Sequence, residues 1–198
     1  MSYQEEFDLL NKSFDDLFPI TRSITGPGIE RSFDYFKQYM PLKVEKVPSG
    51  EKVFDWTVPP EWHFERARLW GPEGDLICDT DQSNLHVVNY SEPIDTTISL
   101  NDLQSHLHSL PDIPDAIPYV TSYYNRTWGF CLSENVRKTL SNGDYKVEIR
   151  SKFVEGGVPF AHCTLPGTSK KEILLSSYLC HPSLANNELS GPLLLLTI

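Results

Sequence analysis

Nine residues near the carboxyl end, EILLSSYLC (172–180), constrain the fold more than any other stretch. The run is apolar on both faces toward its start. That pattern is expected of a strand in the middle of a sheet covered by helices. It leads into CHPSLANNELSGP (180–192) and then PLLLLTI, where Pro192 suits a first helical turn and Ser190 a cap. A buried strand, a polar loop and an opening helix form a βα unit, and parallel sheets need several such crossovers. The expected class is therefore α/β. The next strand is not among the 198 residues, so the chain reads as the front part of a longer protein.

The rest of the chain falls into two textures. Residues 3 to 18 carry Phe7, Leu10, Phe14 and Leu17, spaced as one face of an amphipathic helix that Pro19 stops. TRSITGPG (21–28) is turn-rich. A second helix should follow, with Ile29, Phe33, Phe36 and Met40 on one stripe, ended by Pro41. LKVEKV (42–47) alternates apolar and charged residues as a half-buried strand does. From about Ser49 to Tyr124 the chain turns rich in Pro, Asp and aromatics. Short β-like runs recur there: KVFDWTV (52–58), HFERARLW (63–70), DLICDT (75–80) and NLHVVNY (84–90). LNDLQSHLHSL (100–110) has leucines on one helical side, and LSENVRKTL (132–140) opens with a capping Ser133. YKVEIRS (145–151) and VPFAHCTL (158–165) read as strands. This organisation predicts a first α/β segment at 1–48, a β-rich module inserted at 49–144, and a second α/β segment at 145–198.

Charge narrows the function classes. Seventeen basic residues against 27 acidic ones leave a net charge of −10. Neither a nucleic acid nor an anionic membrane surface is then an expected partner. The amino terminus, MSYQEEFDLL, lacks the basic and long apolar regions of a signal peptide, and no apolar run is long enough to span a bilayer. Four widely spaced cysteines form no CxxC pair. The chain reads as cytoplasmic, with free thiols.

The residues with chemistry cluster after EILLSSYLC. Ligand sites in open α/β sheets lie just beyond the carboxyl ends of strands, and His181 stands there. An imidazole at that place suits a metal ion, and Asn187 and Glu188 supply oxygen atoms nearby in sequence. A loop histidine that only bonds the backbone is the competing reading. His106 and His108 lie on an expected helix, about 200° apart, and so should not share an ion. His162 and Cys163 are strand neighbours and should face opposite ways. Cys180 beside His181 reads as a structural thiol rather than a nucleophile. Asp75, Asp79 and Asp81 are too few for a calcium loop. The aromatics Trp56, Trp62, Trp70, Tyr119, Tyr123, Tyr124 and Trp128 either build the module's core or line a peptide or carbohydrate groove. Arg22 either meets a substrate or ties down its turn.

Two stretches, RSITGPGIERSFDYFKQYMPLKVEKV (22–47) and VPFAHCTLPGTSKKEILLSSYLCHPSLANNELSGP (158–192), resemble the zinc aminopeptidase family with two co-catalytic zinc ions, which also includes glutaminyl cyclases. More closely, the chain resembles bacterial aminopeptidase-like proteins that carry an inserted domain of unknown function, through WTVPPEW (56–62), HLHSLPDIPDAIPYVTSYY (106–124) and WGFCLSENV (128–136). The resemblance covers nearly all 198 residues but about half of such a protein. It implies a three-layer zinc-aminopeptidase-like fold, incomplete here, with an inserted β-rich domain. It implies a hydrolase acting on a small peptide or amide. The family's ligand histidine maps onto His181 and its bridging aspartate onto Asn187. Glu188 is a substitute carboxylate at a position that is not normally a ligand. The aspartate that orients the histidine maps onto Ser183. The general-base glutamate and the other zinc ligands would lie beyond Ile198. The resemblance thus implies little or no peptidase activity for these 198 residues. The alternative is a non-catalytic peptide- or carbohydrate-binding protein that keeps the fold.

Overall fold

The computed structural model describes residues 2–198. They form two units. One combines residues up to Glu61 with Glu155–Ile198, and the other is the continuous stretch Trp62–Val154. Residues 49–61 thus fall in the first unit and 145–154 in the second.

The first unit opens with helix α1 (Tyr3–Leu17). Ser2 and Glu5 cap it reciprocally: the Ser2 hydroxyl accepts from the Glu5 amide, and the Glu5 carboxylate accepts from the Ser2 amide at 2.7 Å. Its apolar stripe ends at Leu17, which is fully buried. Helix α2 (Pro27–Phe36) starts at a proline, which has no amide hydrogen to leave unpaired. It is shorter than the Ile29–Met40 stripe, because the chain leaves the helix in tight turns from Lys37 to Met40. Leu17 and Phe36 pack with Leu189 and Leu193 from the far end of the chain. Each such side chain contributes about 1.5–3 kcal/mol on burial. Strand β1 (Lys43–Pro48) and the late strand Gly157–His162 pair antiparallel, with Val47 opposite Val158. Glu61, nearly buried, accepts from the Gly157 amide at 3.1 Å and from Lys46 at 2.9 Å. A small hairpin joins β2 (Lys52–Val53) to β3 (Trp56–Thr57).

The second unit is built on a four-stranded sheet. Its members are β4 (Glu61–Trp70), β5 (Leu76–Asp79), β6 (Ile94–Ser99) and the long strand Asp144–Val154, in the order β5, β4, the long strand, β6. The GPEG turn joins β4 to β5, and Gly74 adopts φ +84°, a conformation that glycine reaches without a Cβ penalty. The alternation of YKVEIRS places Tyr145, Val147 and Ile149 in the core. Trp62 is 2% exposed, donates from its indole nitrogen to the Ser91 carbonyl at 2.9 Å, and stacks on Phe64 and Tyr90.

Several expectations fail for physical reasons. EILLSSYLC (172–180) is not a strand. Among the described residues no strand pairs with its backbone, and Ile173 and Leu174 are 89% and 90% exposed. Apolar composition selects a buried strand only where neighbours are present to bury it. The helix expected at 100–110 is one turn, α3 (Leu100–Leu103), followed by a 3₁₀ turn (Gln104–His106) and β7 (Leu107–His108). There β7 pairs in parallel with β8 (Phe130–Cys131), so sheet pairing overrides the leucine spacing. NLHVVNY is a 3₁₀ turn (Asn84–His86) and two isolated bridges, Val87 to Phe130 and Asn89 to Thr121, rather than a strand. Helix α4 (Glu134–Lys138) is capped by Ser133 as its sequence implies. The long strand is β9 and Gly157–His162 is β10; a π-helical turn (Ala185–Leu189) and α5 (Ser190–Leu196) come after it. Ser190 does not cap α5; its hydroxyl donates back to the Asn186 carbonyl at 2.5 Å.

Replacing Trp62 by Ala removes a buried indole and its hydrogen bond. The expected cost is about 3–5 kcal/mol in denaturant unfolding, together with a reduced near-ultraviolet signal. A change under about 1 kcal/mol would refute this placement of the core.

Candidate metal-ligating loop

Three segments are linked in series: the turn after α1 binds the loop 180–190, and the start of α2 approaches that turn. The first is the turn after α1. Arg22 is wholly buried. Its Nη1 donates to the Leu17 carbonyl at 2.5 Å and its Nε to the His181 carbonyl at 3.1 Å. A guanidinium can donate in several fixed directions at once, so one side chain joins the end of α1 to the loop. Burial lowers its pKa to about 10, and the charge of Glu188 opposes that shift. Arg22 therefore ties down structure rather than waiting for substrate. The second segment is the start of α2. A Cβ at Gly28 would lie 1.9 Å from the Thr21 carbonyl oxygen, so only glycine lets the helix approach the TRS turn this closely.

The third segment is the loop itself. Ala185–Leu189 forms a single π-helical turn that leads directly into α5. Turns of this kind interrupt a helix at an energetic cost and are frequent at functional sites. Here the turn buries Glu188 and leaves Asn187 exposed. One carboxylate oxygen of Glu188, Oε1, accepts from the amides of Cys180 and His181, the latter at 2.8 Å. The other, Oε2, lies 2.9 Å from Nδ1 of His181, an ion-pair contact without good hydrogen-bond alignment. The His181 side chain is 23% exposed and sits edge-on to the Tyr178 ring. Its pKa is raised to about 10, first by Cys180 and then by Glu188, with burial opposing. Cys180, His181 and Glu188 present donor atoms that all lie within 4.8 Å of one another. Ser183, where the resembled family carries an orienting aspartate, has φ +47°, a left-handed conformation that asparagine and aspartate tolerate better than serine.

The expected ligands thus separate. His181 is half-buried beside a carboxylate, not sunk in hydrocarbon. Asn187 stays on the outer side of the turn. Glu188 turns inward and is engaged by the loop's own amides. Cys180, read from sequence as a structural thiol, belongs to the same cluster; its position next to His181 was the available signal. A bridging group between two Zn²⁺ ions must carry negative charge, and an amide at 187 supplies none. The loop alone therefore supplies one expected ligand, His181, and lacks the bridging carboxylate of a co-catalytic pair.

The other candidates are structural. His106 stacks on Trp128 at 3.7 Å, and its Nδ1 meets the Trp128 carbonyl at 2.8 Å. His106 and His108 stand on a 3₁₀ turn and a strand, not on one helix. His162 pairs with Glu45 at 3.2 Å. Arg68 binds Asp79 at 3.2 Å and Asp81 at 2.7 Å, so the acidic run closes a local ion-pair cluster. Buried Tyr90 stacks on Trp62, and the half-buried Tyr119, Tyr123 and Phe153 associate with Tyr90 or with one another; Tyr124 is exposed.

Residues 61–152 match the model of a family described as a domain of unknown function, DUF2172. The chain is 43% identical over 177 residues to a protein of Clostridium acetobutylicum described as a "Putative polysaccharide biosynthesis protein with aminopeptidase-like domain", covering 89% of this chain and 41% of that protein. A solved structure from the same organism, described as a "putative peptidase", aligns over 98% of this chain with a TM-score of 0.92 and 40% identity. The chain covers 46% of that structure. Both relatives carry descriptions of a peptidase or aminopeptidase-like kind. The chain spans less than half the length of either relative. No helix among the described residues is long and apolar enough to cross a membrane.

Arg22→Met keeps the stem but removes the charge and both bonds. It should cost roughly 3 kcal/mol in unfolding free energy. For His181, whose pKa rises from 6.5 to about 10, the stabilising charge is fully present below 6.5 and is lost as pH rises through 10. The stability gap between the wild type and Glu188→Gln should therefore narrow between pH 6 and pH 10.5. A gap that widens over that range would contradict the ion pair.

Proposed function

We propose that this chain is the front portion of a peptidase-like hydrolase of the co-catalytic zinc type, with a three-layer α/β domain interrupted by the DUF2172 module. The observation that carries the reading is the His181 loop, set in a chain whose backbone matches a peptidase-like structure at TM-score 0.92. The unpaired, apolar segment 172–180 supports it as well. Its exposed Ile173 and Leu174 are what a central strand looks like without flanking strands, which the further length of the relatives would supply. Zinc in such an enzyme supplies a polarised water at neutral pH, and a glutamate moves its proton. This chain contributes one imidazole and the frame that holds it: Arg22 on the His181 carbonyl and Glu188 on its amide and ring. The substrate would be a small peptide or an amide. The 198 residues alone should hydrolyse little or nothing, because Glu188, the carboxylate beside His181, is engaged by the imidazole and the loop's own amides.

A second reading rests on Asn187. A neutral amide at the bridging position, with the neighbouring carboxylate engaged inward, is consistent with a retired enzyme that keeps the fold to bind a peptide or carbohydrate. The description of the 43% identical relative as a polysaccharide biosynthesis protein supports the carbohydrate version.

Metal analysis of the chain extended to the length of its relatives separates the two readings. About two zinc ions per chain, with chelator-sensitive cleavage of aminoacyl reporter amides, is the outcome for the hydrolase. Absence of metal, with saturable sugar or peptide binding, is the outcome for the binder. For the 198-residue chain, turnover above about tenfold over background would overturn the assignment of inactivity.

A further inference from the structure

We propose that the second unit carries a binding site for an acidic sugar, a hexuronate unit, on the surface formed by residues 119–127. Arg126 takes the carboxylate and Tyr124 the face of the ring. For its ligand class the inference rests on the carbohydrate reading above; for its place in the fold it is independent of the His181 loop.

Three observations carry it. The first is the state of Arg126. The residue is exposed, and its guanidinium carbon lies 3.7 Å from the centre of the Phe153 ring. That contact engages one face of the guanidinium and leaves its in-plane N–H donors to other partners. Among the described residues no carboxylate pairs with it, although the chain has 27 acidic residues. Arg66, Arg68 and Arg150 of the same unit each hold an acidic partner. A planar fork that is fixed in direction and has no such partner suits bidentate capture of a carboxylate.

The second observation is the support beneath it. The buried Asn89 donates from its amide to the Val120 carbonyl at 2.8 Å and accepts from the Ser122 amide at 2.9 Å. The Glu92 amide donates to the Thr127 carbonyl at 2.9 Å. Tyr123 meets the Tyr90 ring edge-on, and Phe153, which carries Arg126, is tilted against the same ring. The loop and the Arg126 platform therefore share one aromatic base. A surface held in place before binding loses less freedom when a ligand arrives.

The third observation is what that base displays. Tyr124, two residues from Arg126, is 78% exposed. The run TSYYNRT (121–127) sets ring faces beside hydroxyl, amide and guanidinium groups. Tyrosine and arginine on held loops are common binding anchors. A phenol ring accepts the C–H face of a pyranose, and the fork accepts the carboxylate. A peptide is the poorer fit. The loop takes part only in an isolated bridge, Asn89 to Thr121, and so offers no strand edge to extend. The net charge of −10 opposes anions in general, so binding should depend on this one guanidinium.

The 198-residue chain should be titrated calorimetrically with trimers of mannuronate and of galacturonate. The controls are the neutral mannose trimer of the same linkage and triglutamate. The expected result is saturable binding of a uronate trimer, with both controls weaker by about tenfold or more. Arg126→Gln should weaken uronate binding by about tenfold or more and leave the neutral trimer unaffected. Arg126→Lys keeps the charge without the fork and should stay weaker than the wild type. Tyr124→Ala should weaken both kinds of sugar. Both side chains are exposed, so these variants should fold, and an unchanged thermal unfolding curve checks this. No saturable binding of either uronate, equal affinity for the neutral trimer, or unchanged affinity in Arg126→Gln or Tyr124→Ala would each overturn the site. Tighter binding of triglutamate would assign the surface to acidic peptides and overturn the sugar. Two zinc ions in the longer protein, with uronate binding through Arg126, would remove the retired-enzyme reading and leave this one. Saturable binding of a sugar that Arg126→Gln does not alter would leave that reading standing and remove this one.

Discussion

A buried carboxylate holds this loop together. Glu188 binds two amides at the start of the loop and faces an imidazole, while the guanidinium of Arg22 compensates its charge and grips the same stretch from the other side. Neither charge would be tolerated in that interior alone. Together they join the end of α1, the loop and the start of α5, and the apolar contacts of Leu17, Phe36, Leu189 and Leu193 close over the same junction. The glycines follow from that convergence. Gly28 lets α2 reach the Thr21 carbonyl, and Gly191 keeps α5 clear of the Ser177 hydroxyl, which a Cβ would approach to 2.2 Å.

What was legible in the sequence was whatever local chemistry decides. The stripe of α1, its end before Pro19, the cap at Ser133 and the strict alternation of β9 all emerge where their residues place them. What was illegible depended on distant partners. The leucines of 100–110 have helical spacing, yet β8 captures Leu107 and His108 into a ladder. EILLSSYLC has the composition of a central strand, but composition cannot supply neighbours. Arg22 offered no sequence signal for burial, since arginine is rarely buried unless paired, and its partners are the carbonyl of Leu17 nearby and that of His181 far along the chain.

The aromatics illustrate the same division. Trp62 was one of many residues suited either to a groove or to a core. Only the Ser91 carbonyl, 29 residues away, decides for the core by accepting its indole hydrogen. Tyr90 takes φ +71°, a strained value for an aromatic residue, and there it stacks on Trp62 and meets Tyr123 edge-on. A conformational cost of order 1 kcal/mol is tolerable where packing of this kind offsets it.

The difference between Asn187 and Glu188 is one position in sequence and a reversal in space. In a regular helix, adjacent residues point about 100° apart; the π-helical turn sets how this pair divides between solvent and interior. With the negative charge at 188, the carboxylate goes inward, where it stabilises the loop and meets Nδ1 of His181. With the charge at 187, it would lie on the exposed side of the turn, with no carboxylate behind it to secure the Cys180 and His181 amides. Asn187→Asp combined with Glu188→Asn exchanges the two arrangements without changing net charge. The loop should then lose roughly 1–3 kcal/mol of stability as those amides lose a charged acceptor, whatever metal it comes to prefer. The identity of the residue at 188 therefore decides whether this loop is built mainly to stand alone or mainly to receive an ion.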